Sequence, residues 1–239
     1  MRLNQYISAS GFCSRREADA LILGKRVKIN GKLADIGTRV GPNDRVEVDG
    51  KRITAKTKHI YIALNKPKGI TCTTERHVKG NIIDFINHPE RIFPIGRLDK
   101  DSEGLILLTS DGNVVNEVLR EENHHEKEYR VSVNKAIDDA FIEQMASGVT
   151  IFNPVKERHE KTKPCKLIKN SDKEFTITLS QGLNRQIRRM CEALGYQVVS
   201  LKRTRIMHIK LGKLRTGEWR YLSEAEVSGL FTNKKRQGR

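Results

Sequence analysis

No stretch of this 239-residue chain approaches the ~18–20 consecutive apolar residues needed to span a bilayer. The first ten residues, MRLNQYISAS, have no long apolar core ahead of a small-residue cleavage site, so they do not form a secretory signal. The four cysteines, Cys13, Cys72, Cys165 and Cys191, lie far apart and form no CxxC pair. They read as reduced, structural thiols of a cytoplasmic protein. The seven histidines show no HExxH or similar ligand spacing. His124 and His125 are neighbours, but adjacent side chains diverge in a helix or a strand, so no metal is expected. A P-loop, a GxGxxG signature and a GxSxG elbow are all missing. Nucleotide triphosphates, NAD and serine hydrolysis therefore lack support. Acid is also scarce, with 29 Asp+Glu against 45 Lys+Arg and a formal net charge of +16. An excess of that size favours a polyanionic partner, because each cation near a phosphate releases condensed counterions. Hydrophobic residues at 37% suffice for a core.

Residues 1–48 read as a small module. Ser14-Arg15-Arg16-Glu17 has the form of a capping box and predicts a short helix to Leu23, with Gly24 as its stop. Asn30-Gly31 is a tight-turn signal. Arg45 to Val48 is a short alternating strand closed by Asp49-Gly50. Residues 49–58 are basic and thinly apolar and read as a linker. A larger domain spans 59–232. Ile60–Leu64, Gly104–Thr109, Lys127–Val133, Glu174–Ser180 and segments within 198–222 read as strands. Helical spacing marks Ile137–Met145 and Asn184–Leu194, and a second capping box, Ser223 to Glu226, starts a last helix. The tail, 233–239, has neither acid nor apolar residue and reads as disordered. Strands outnumber helices and few strand–helix–strand units repeat. The expected fold is α+β, with a mixed, mainly antiparallel sheet and flanking helices.

Three segments could carry chemistry. The first, Phe93 to Thr109, packs Arg97, Asp99, Asp101 and Glu103 into a loop feeding a buried strand. Such loops present catalytic groups, and they are also ordinary polar turns. In the second, Gln181 to Met190, about 100° per residue puts Ile187, Met190, Cys191 and Leu194 on one apolar stripe. Arg188 flanks that stripe and can reach a partly buried acid, while Arg185 and Arg189 point away, toward solvent or phosphate. The bland alternative is a solvated basic face. In the third, Lys127-Glu128-Tyr129-Arg130, a strand puts Lys127 and Tyr129 on one face. A tyrosine there can stack on a nucleobase or simply fill a core.

Together these segments resemble the RsuA/RluB/RluE/RluF group of bacterial pseudouridine synthases. The resemblance rests on Arg2-Leu3-Asn4 with Ser14-Arg-Arg-Glu-Ala18, Asn65-Lys-Pro-Lys-Gly69, Gly96-Arg-Leu-Asp99 with Gly104-Leu105, Lys127-Glu-Tyr129, and Asn184-Arg-Gln-Ile-Arg-Arg-Met190. It covers nearly the whole chain, in order. The wording around the motifs, including Arg203-Thr-Arg-Ile-Met207, is nearest to a branch acting on 23S rRNA. By this resemblance the first module is an S4-like RNA-binding domain and the second a pseudouridine synthase domain.

The reaction so implied detaches uracil from C1′ of one uridine, turns it and rejoins it through C5. It needs no cofactor and no metal. The resemblance makes Asp99 the nucleophile, which spacing alone does not distinguish from Asp101. It pairs Asp99 with Arg188, places Tyr129 on the flipped base and has Ile187 line the base pocket. Arg97 fills the space the base vacates. Arg185, Arg189, Lys202, Arg203 and Arg205 are expected on backbone phosphates, with Lys127 nearby. Arg15, Arg16, Lys25, Arg26 and Lys28 form a second anchor in the S4-like module. The implied partners are 23S rRNA in the nascent large ribosomal subunit and a tRNA anticodon loop, met by a monomer. The other function class is a non-catalytic S4-type RNA-binding or ribosome-assembly protein. Only Asp99, Tyr129 and Arg188 in their contexts separate the two.

Overall fold

A computed structural model describes residues 1–112, 114, 118 and 125–231. His124 and the basic tail, 233–239, lie outside the described residues.

The chain starts with α1 (Leu3–Ala9) and α2 (Arg15–Leu23). The capping box at the start of α2 closes in both directions. The Glu17 N–H donates to Ser14 Oγ at 3.1 Å, and the Ser14 N–H donates to the Glu17 carboxylate at 2.7 Å. The end of α2 differs from expectation. Gly24 keeps φ −73°, and it is Lys25 that takes the left-handed seat at φ 56°. The Lys25 and Arg26 N–H groups then donate to the carbonyls of Ile22 and Leu21, each at 3.0 Å, which satisfies the last turn.

Four short strands follow: β1 (Val27–Ile29), β2 (Lys32–Leu33), β3 (Val46–Val48) and β4 (Lys51–Ile53), in the order β2-β1-β3-β4. Asn30-Gly31 and Asp49-Gly50 both have positive φ at both residues, which is the backbone a two-residue hairpin requires. This corrects the linker. Asp49-Gly50 is a turn, and Lys51–Ile53 pairs with Val46–Val48 as the fourth strand of the first sheet. Leu3, Ile7, Ile22, Val27, Val46 and Val48 are buried between the helices and this sheet. Each buried aliphatic side chain contributes about 1.5–3 kcal/mol.

The second sheet has nine strands: β5 (Tyr61–Lys66), β6 (Phe93–Ile95), β7 (Glu103–Thr109), β8 (Lys127–Val133), β11 (Lys166–Ser171), β12 (Glu174–Leu179), β13 (Val198–Ile206), β14 (Ile209–Lys210) and β15 (Trp219–Tyr221). Their main order is β11-β12-β8-β13-β7-β5-β15, with β6 on β7 and β14 on β13. Strand β13 runs parallel to β7, and the other neighbours in this order run antiparallel. The fold is therefore α+β on a mixed, mainly antiparallel sheet. A separate ribbon, β9 (Thr150–Asn153) with β10 (Arg158–Lys161), stands outside it. Helices α3 (Ile82–Ile86), α4 (Asp139–Ser147), α5 (Gln186–Ala193) and α6 (Glu224–Gly229) complete the described elements.

Strand β12 shows the half-buried period of two, with Phe175, Ile177 and Leu179 buried and the intervening residues not. Strand β7 is buried at every position from Gly104 to Thr109, as a central strand covered on both faces must be. Gly104 is required at the β7–β13 crossing. Its φ is +105°, and a Cβ there would lie 2.3 Å from the Arg203 carbonyl oxygen. The close approach of these two strands sets the loop before β7 against the start of α5.

Candidate active site

The loop between β6 and β7 carries Arg97, Asp99 and Asp101. Strand β8 brings Lys127 and Tyr129, β13 brings Arg203, and α5 with its N-cap brings Arg185, Ile187 and Arg188. Antiparallel register sets Tyr129 between Ile177 on β12 and Arg203 on β13. A cleft of about 590 Å³ opens between these elements, and Arg97, Asp99, Lys127, Tyr129, Arg185, Ile187 and Arg203 all line it. Residues far apart in the chain, and read separately as three segments, thus share one concavity.

The structure separates the two aspartates that spacing leaves equal. Asp101 is clamped. Arg185 donates to it through both guanidinium nitrogens, at 3.0 and 3.2 Å, and Arg188 Nη2 lies 3.3 Å from its Oδ2. Burial pushes the Asp101 carboxyl up, but the hydrogen bonds from Arg185 and the charges of both arginines outweigh it and hold the group below its ordinary value. Asp99 instead lines the cleft, with Arg185 Nη1 at 3.9 Å as its ion contact. Arg185 reaches both carboxylates from an unusual backbone, φ 50°, immediately before α5. A non-glycine residue in that region is held there by its surroundings.

Arg188 is not on Asp99. Its guanidinium, buried beside the apolar stripe of α5, donates to the Asp101 carbonyl, to Ser102 Oγ and to the Val198 carbonyl, each at 3.3 Å. It therefore holds the loop two residues beyond Asp99. The stripe is as expected: Ile187, Met190 and Cys191 are buried. Arg185, expected to face solvent or phosphate, is part of the carboxylate cluster instead.

Several of the cations expected on phosphates have partners within the chain. Arg203 is only 4% exposed, and its Nε donates to the Leu105 carbonyl at 2.7 Å. Strand β13 lies between β8 and β7, and the face that carries Leu201 also carries Arg203, both buried. Arg205 is paired with Glu126 at 3.1 Å and Glu128 at 3.5 Å. Arg189 donates to the Phe152 carbonyl and to Asn184 Oδ1, each at 3.0 Å, which ties α5 to the β9–β10 ribbon. Lys25 pairs with Asp35, and Arg26 binds Asp49 through two nitrogens. Among the described residues, Arg15, Arg16 and Arg97 are exposed and have no ion pair. Lys127 lines the cleft, and its Nζ donates to the His125 carbonyl at 3.4 Å.

Lys66, to which the motif reading assigned no role, does not line the cleft, but it lies within the electrostatic reach of Asp99, Asp101 and Arg203. It is fully buried, and its Nζ donates to the carbonyls of Pro67 and Ile70, each at 2.9 Å. Burial pushes its pKa down, and Arg203 adds to that, while Cys72, Asp101 and Asp99 pull it up. A lysine ending an apolar strand just before Pro67 was the available signal. Among the described residues, no group of three or more His, Cys, Asp or Glu side chains is arranged to hold a metal ion. No helix there is long and apolar enough to cross a membrane.

Comparison with known proteins agrees with this architecture. The RNA pseudouridylate synthase family matches residues 60–193, and the S4 domain family matches residues 1–46. The dual-specificity RNA pseudouridine synthase RluF of Escherichia coli is 53% identical over 233 residues, covering 97% of this chain and 78% of the relative. The ribosomal large subunit pseudouridine synthase B of Bacillus subtilis is 34% identical over 238 residues, covering 96% and 95%. A crystal structure of a pseudouridylate synthase superposes with a TM-score of 0.70 at 31% identity, covering 96% of this chain and 99% of that one. With an S4 domain ahead of a catalytic domain on a mixed sheet, the chain belongs to the RNA pseudouridylate synthase family and is an RNA pseudouridine synthase.

Proposed function

We propose that the protein isomerises a uridine in a stem-loop of 23S rRNA within the nascent large ribosomal subunit, and a uridine in a tRNA anticodon loop as its second substrate. The observation that carries the catalytic assignment is the asymmetry of the two aspartates. Asp101 is committed to Arg185 and Arg188, while Asp99 faces a cleft beside Tyr129 and Ile187. The name of the Bacillus subtilis relative supports a large-subunit target, and the dual specificity named for the Escherichia coli relative supports a second RNA. In this reading the protein works as a monomer in the cytoplasm, where its RNAs are made.

The target base leaves its stack at a cost of a few kcal/mol. Arg97, exposed at the rim, fills the vacated space. The base lies on Tyr129 and against Ile187, with C1′ facing the Asp99 carboxylate. Asp99 attacks C1′ or stabilises positive charge there, and the base is freed, turned and rejoined through C5. Tyr129 assists removal of the C5 proton. The exposed Arg15 and Arg16 of the S4 domain hold phosphates at a distance from the reacting base and fix register more than sequence. A protein that only binds RNA has no use for an unclamped carboxylate beside a tyrosine in a cleft.

The test is to incubate purified protein with unmodified 23S rRNA and tRNA transcripts and to map pseudouridine by carbodiimide primer extension. The proposal expects one new stop in each RNA. A stop in only one RNA withdraws the second substrate. No stop, either on transcripts or on immature large subunits, overturns the assignment.

A further inference from the structure

Arg203 sits at the cleft with its charge unmatched. The side chain is 4% exposed and lines the concavity that holds Asp99 and Tyr129. Its guanidinium lies over the Tyr129 ring, with Cζ 5.9 Å from the centroid. Nε donates to the Leu105 carbonyl at 2.7 Å and Nη1 to the Arg97 carbonyl at 3.4 Å, while Nη2 is buried with no partner. No carboxylate among the described residues pairs with it. Burying a cation with no ion pair is costly, and an anion in the cleft would offset that cost. The fold also spends a glycine on this position, since Gly104 admits the Arg203 backbone within 2.3 Å of where a Cβ would be.

The chemistry supplies the anion. When the C1′–N1 bond breaks, its electron pair leaves on N1, so uracil departs as an anion. After rotation, C5 bonds to C1′, the C5 proton leaves to a base and N1 takes up a proton, so atoms and charge balance. Between these two events a negative base lies in the cleft. Asp99 and Asp101 do not stabilise it, because they carry the same sign.

We propose that Arg203 is the fixed positive charge that stabilises uracil as it detaches and while it turns. This rests on the reading that the Asp99 cleft is the catalytic site. Arg203 acts through its field from a buried, preorganised position, where a charge is worth more than in water. Tyr129 and the Arg97 carbonyl hold it there. It is distinct from Arg188, which anchors the loop, and from Arg185, which neutralises Asp101.

The experiment compares single-turnover consumption of uridine and of 5-fluorouridine at the target of a stem-loop, followed by mass spectrometry of the nucleotide. Fluorine makes the departing base a better carrier of negative charge. Arg203→Gln is expected to slow the uridine reaction about 100-fold, and to slow the 5-fluorouridine reaction at least about 10-fold less than that, by the same reasoning. RNA affinity stays within a few fold. Equal slowing on both substrates assigns Arg203 a structural role and overturns the inference. Asp99→Asn, run alongside, separates the two readings. If that variant stays active, the cleft reading itself fails; if it is inert and the Arg203→Gln losses are equal, only the Arg203 inference fails. A measurement on wild-type protein avoids any folding defect. With a stem-loop abasic at the target, the cleft is expected to take up 6-azauracil more tightly than uracil, at a pH where the first is ionised and the second neutral. Tighter binding of neutral uracil overturns the inference.

Discussion

Replacing Arg188 and Arg185 separately tests whether the buried arginine, and not the exposed one, fixes the catalytic loop. Arg188 makes three hydrogen bonds at 3.3 Å, to the carbonyls of Asp101 and Val198 and to Ser102 Oγ, and lies 3.3 Å from the Asp101 carboxylate. Bonds of that length are at the weak end of the range. Because the site is buried, however, removing the arginine leaves acceptors without partners. Arg188→Ala is expected to cost about 2–4 kcal/mol. For a chain of this size that lowers Tm by about 5–15 °C. The Arg185–Asp101 pair has side chains 40% and 49% exposed, so solvent screens it. Arg185→Ala is expected to cost less than about 1 kcal/mol, and the difference should shrink further in high salt. Activity follows the same order. A loop released by about 1 Å costs roughly 100-fold in turnover, which is expected for Arg188→Ala, while Arg185→Ala loses about 10-fold or less by the same argument. The assays are thermal denaturation at two salt concentrations and single-turnover pseudouridine formation at saturating RNA. Equal Tm losses, or an Arg185→Ala rate below that of Arg188→Ala, would refute the reasoning.

Other expectations follow from single contacts. Gly104→Ala forces a Cβ to within 2.3 Å of the Arg203 carbonyl at φ +105°; the β7–β13 crossing must open, and a loss of more than about 2 kcal/mol in denaturant unfolding is expected, whereas an unchanged midpoint contradicts the packing described. Glu226 is held at a pKa of about 2, chiefly by its hydrogen bonds from Arg220 and against the effect of burial. A carboxyl depressed in the folded state stabilises fully above its unfolded value and loses that contribution as pH falls from ~5 toward ~2. Glu226→Gln should therefore be less stable than wild type at neutral pH, by about 1–2 kcal/mol after screening, and the two should converge near the acid end; a gap independent of pH rules this out. Exchanging Arg15 and Arg16 together for alanine should weaken RNA binding uniformly and reduce the slope of log affinity against log salt by about 1–2; an unchanged slope means that neither side chain touches phosphate.

Local signals in the sequence were legible because both partners lie within a few residues. Ser14 with Glu17 and Ser223 with Glu226 form closed boxes, and Asn30-Gly31 turns as that dipeptide does. Strand β4 was not legible. Its residues are two exposed cations and one half-buried isoleucine, so the segment looks like a linker until Asp49-Gly50 is taken as a hairpin turn. The partners of the arginines on β13 were hidden for a related reason. Charge suggests a surface, but strand register puts Arg203 beside Tyr129, with its Nε on the Leu105 carbonyl, and it sets Arg205 opposite Glu128 and near Glu126, just before that strand. That register is set by the pairing of β13 between β8 and β7, strands distant in the chain, which no local pattern encodes. The choice between Asp99 and Asp101 was hidden likewise, because it is made by arginines more than eighty residues further along the chain.

The central claim is that Asp99, and not its clamped neighbour, does the covalent work. The most direct measurement is tritium release from a stem-loop carrying [5-³H]uridine at the target, with RNA binding measured on the same samples, for wild type and for Asp99→Asn. The account predicts stoichiometric release by wild type and none by Asp99→Asn, with affinities within a few fold of each other. Release by Asp99→Asn at a rate near that of wild type would contradict it.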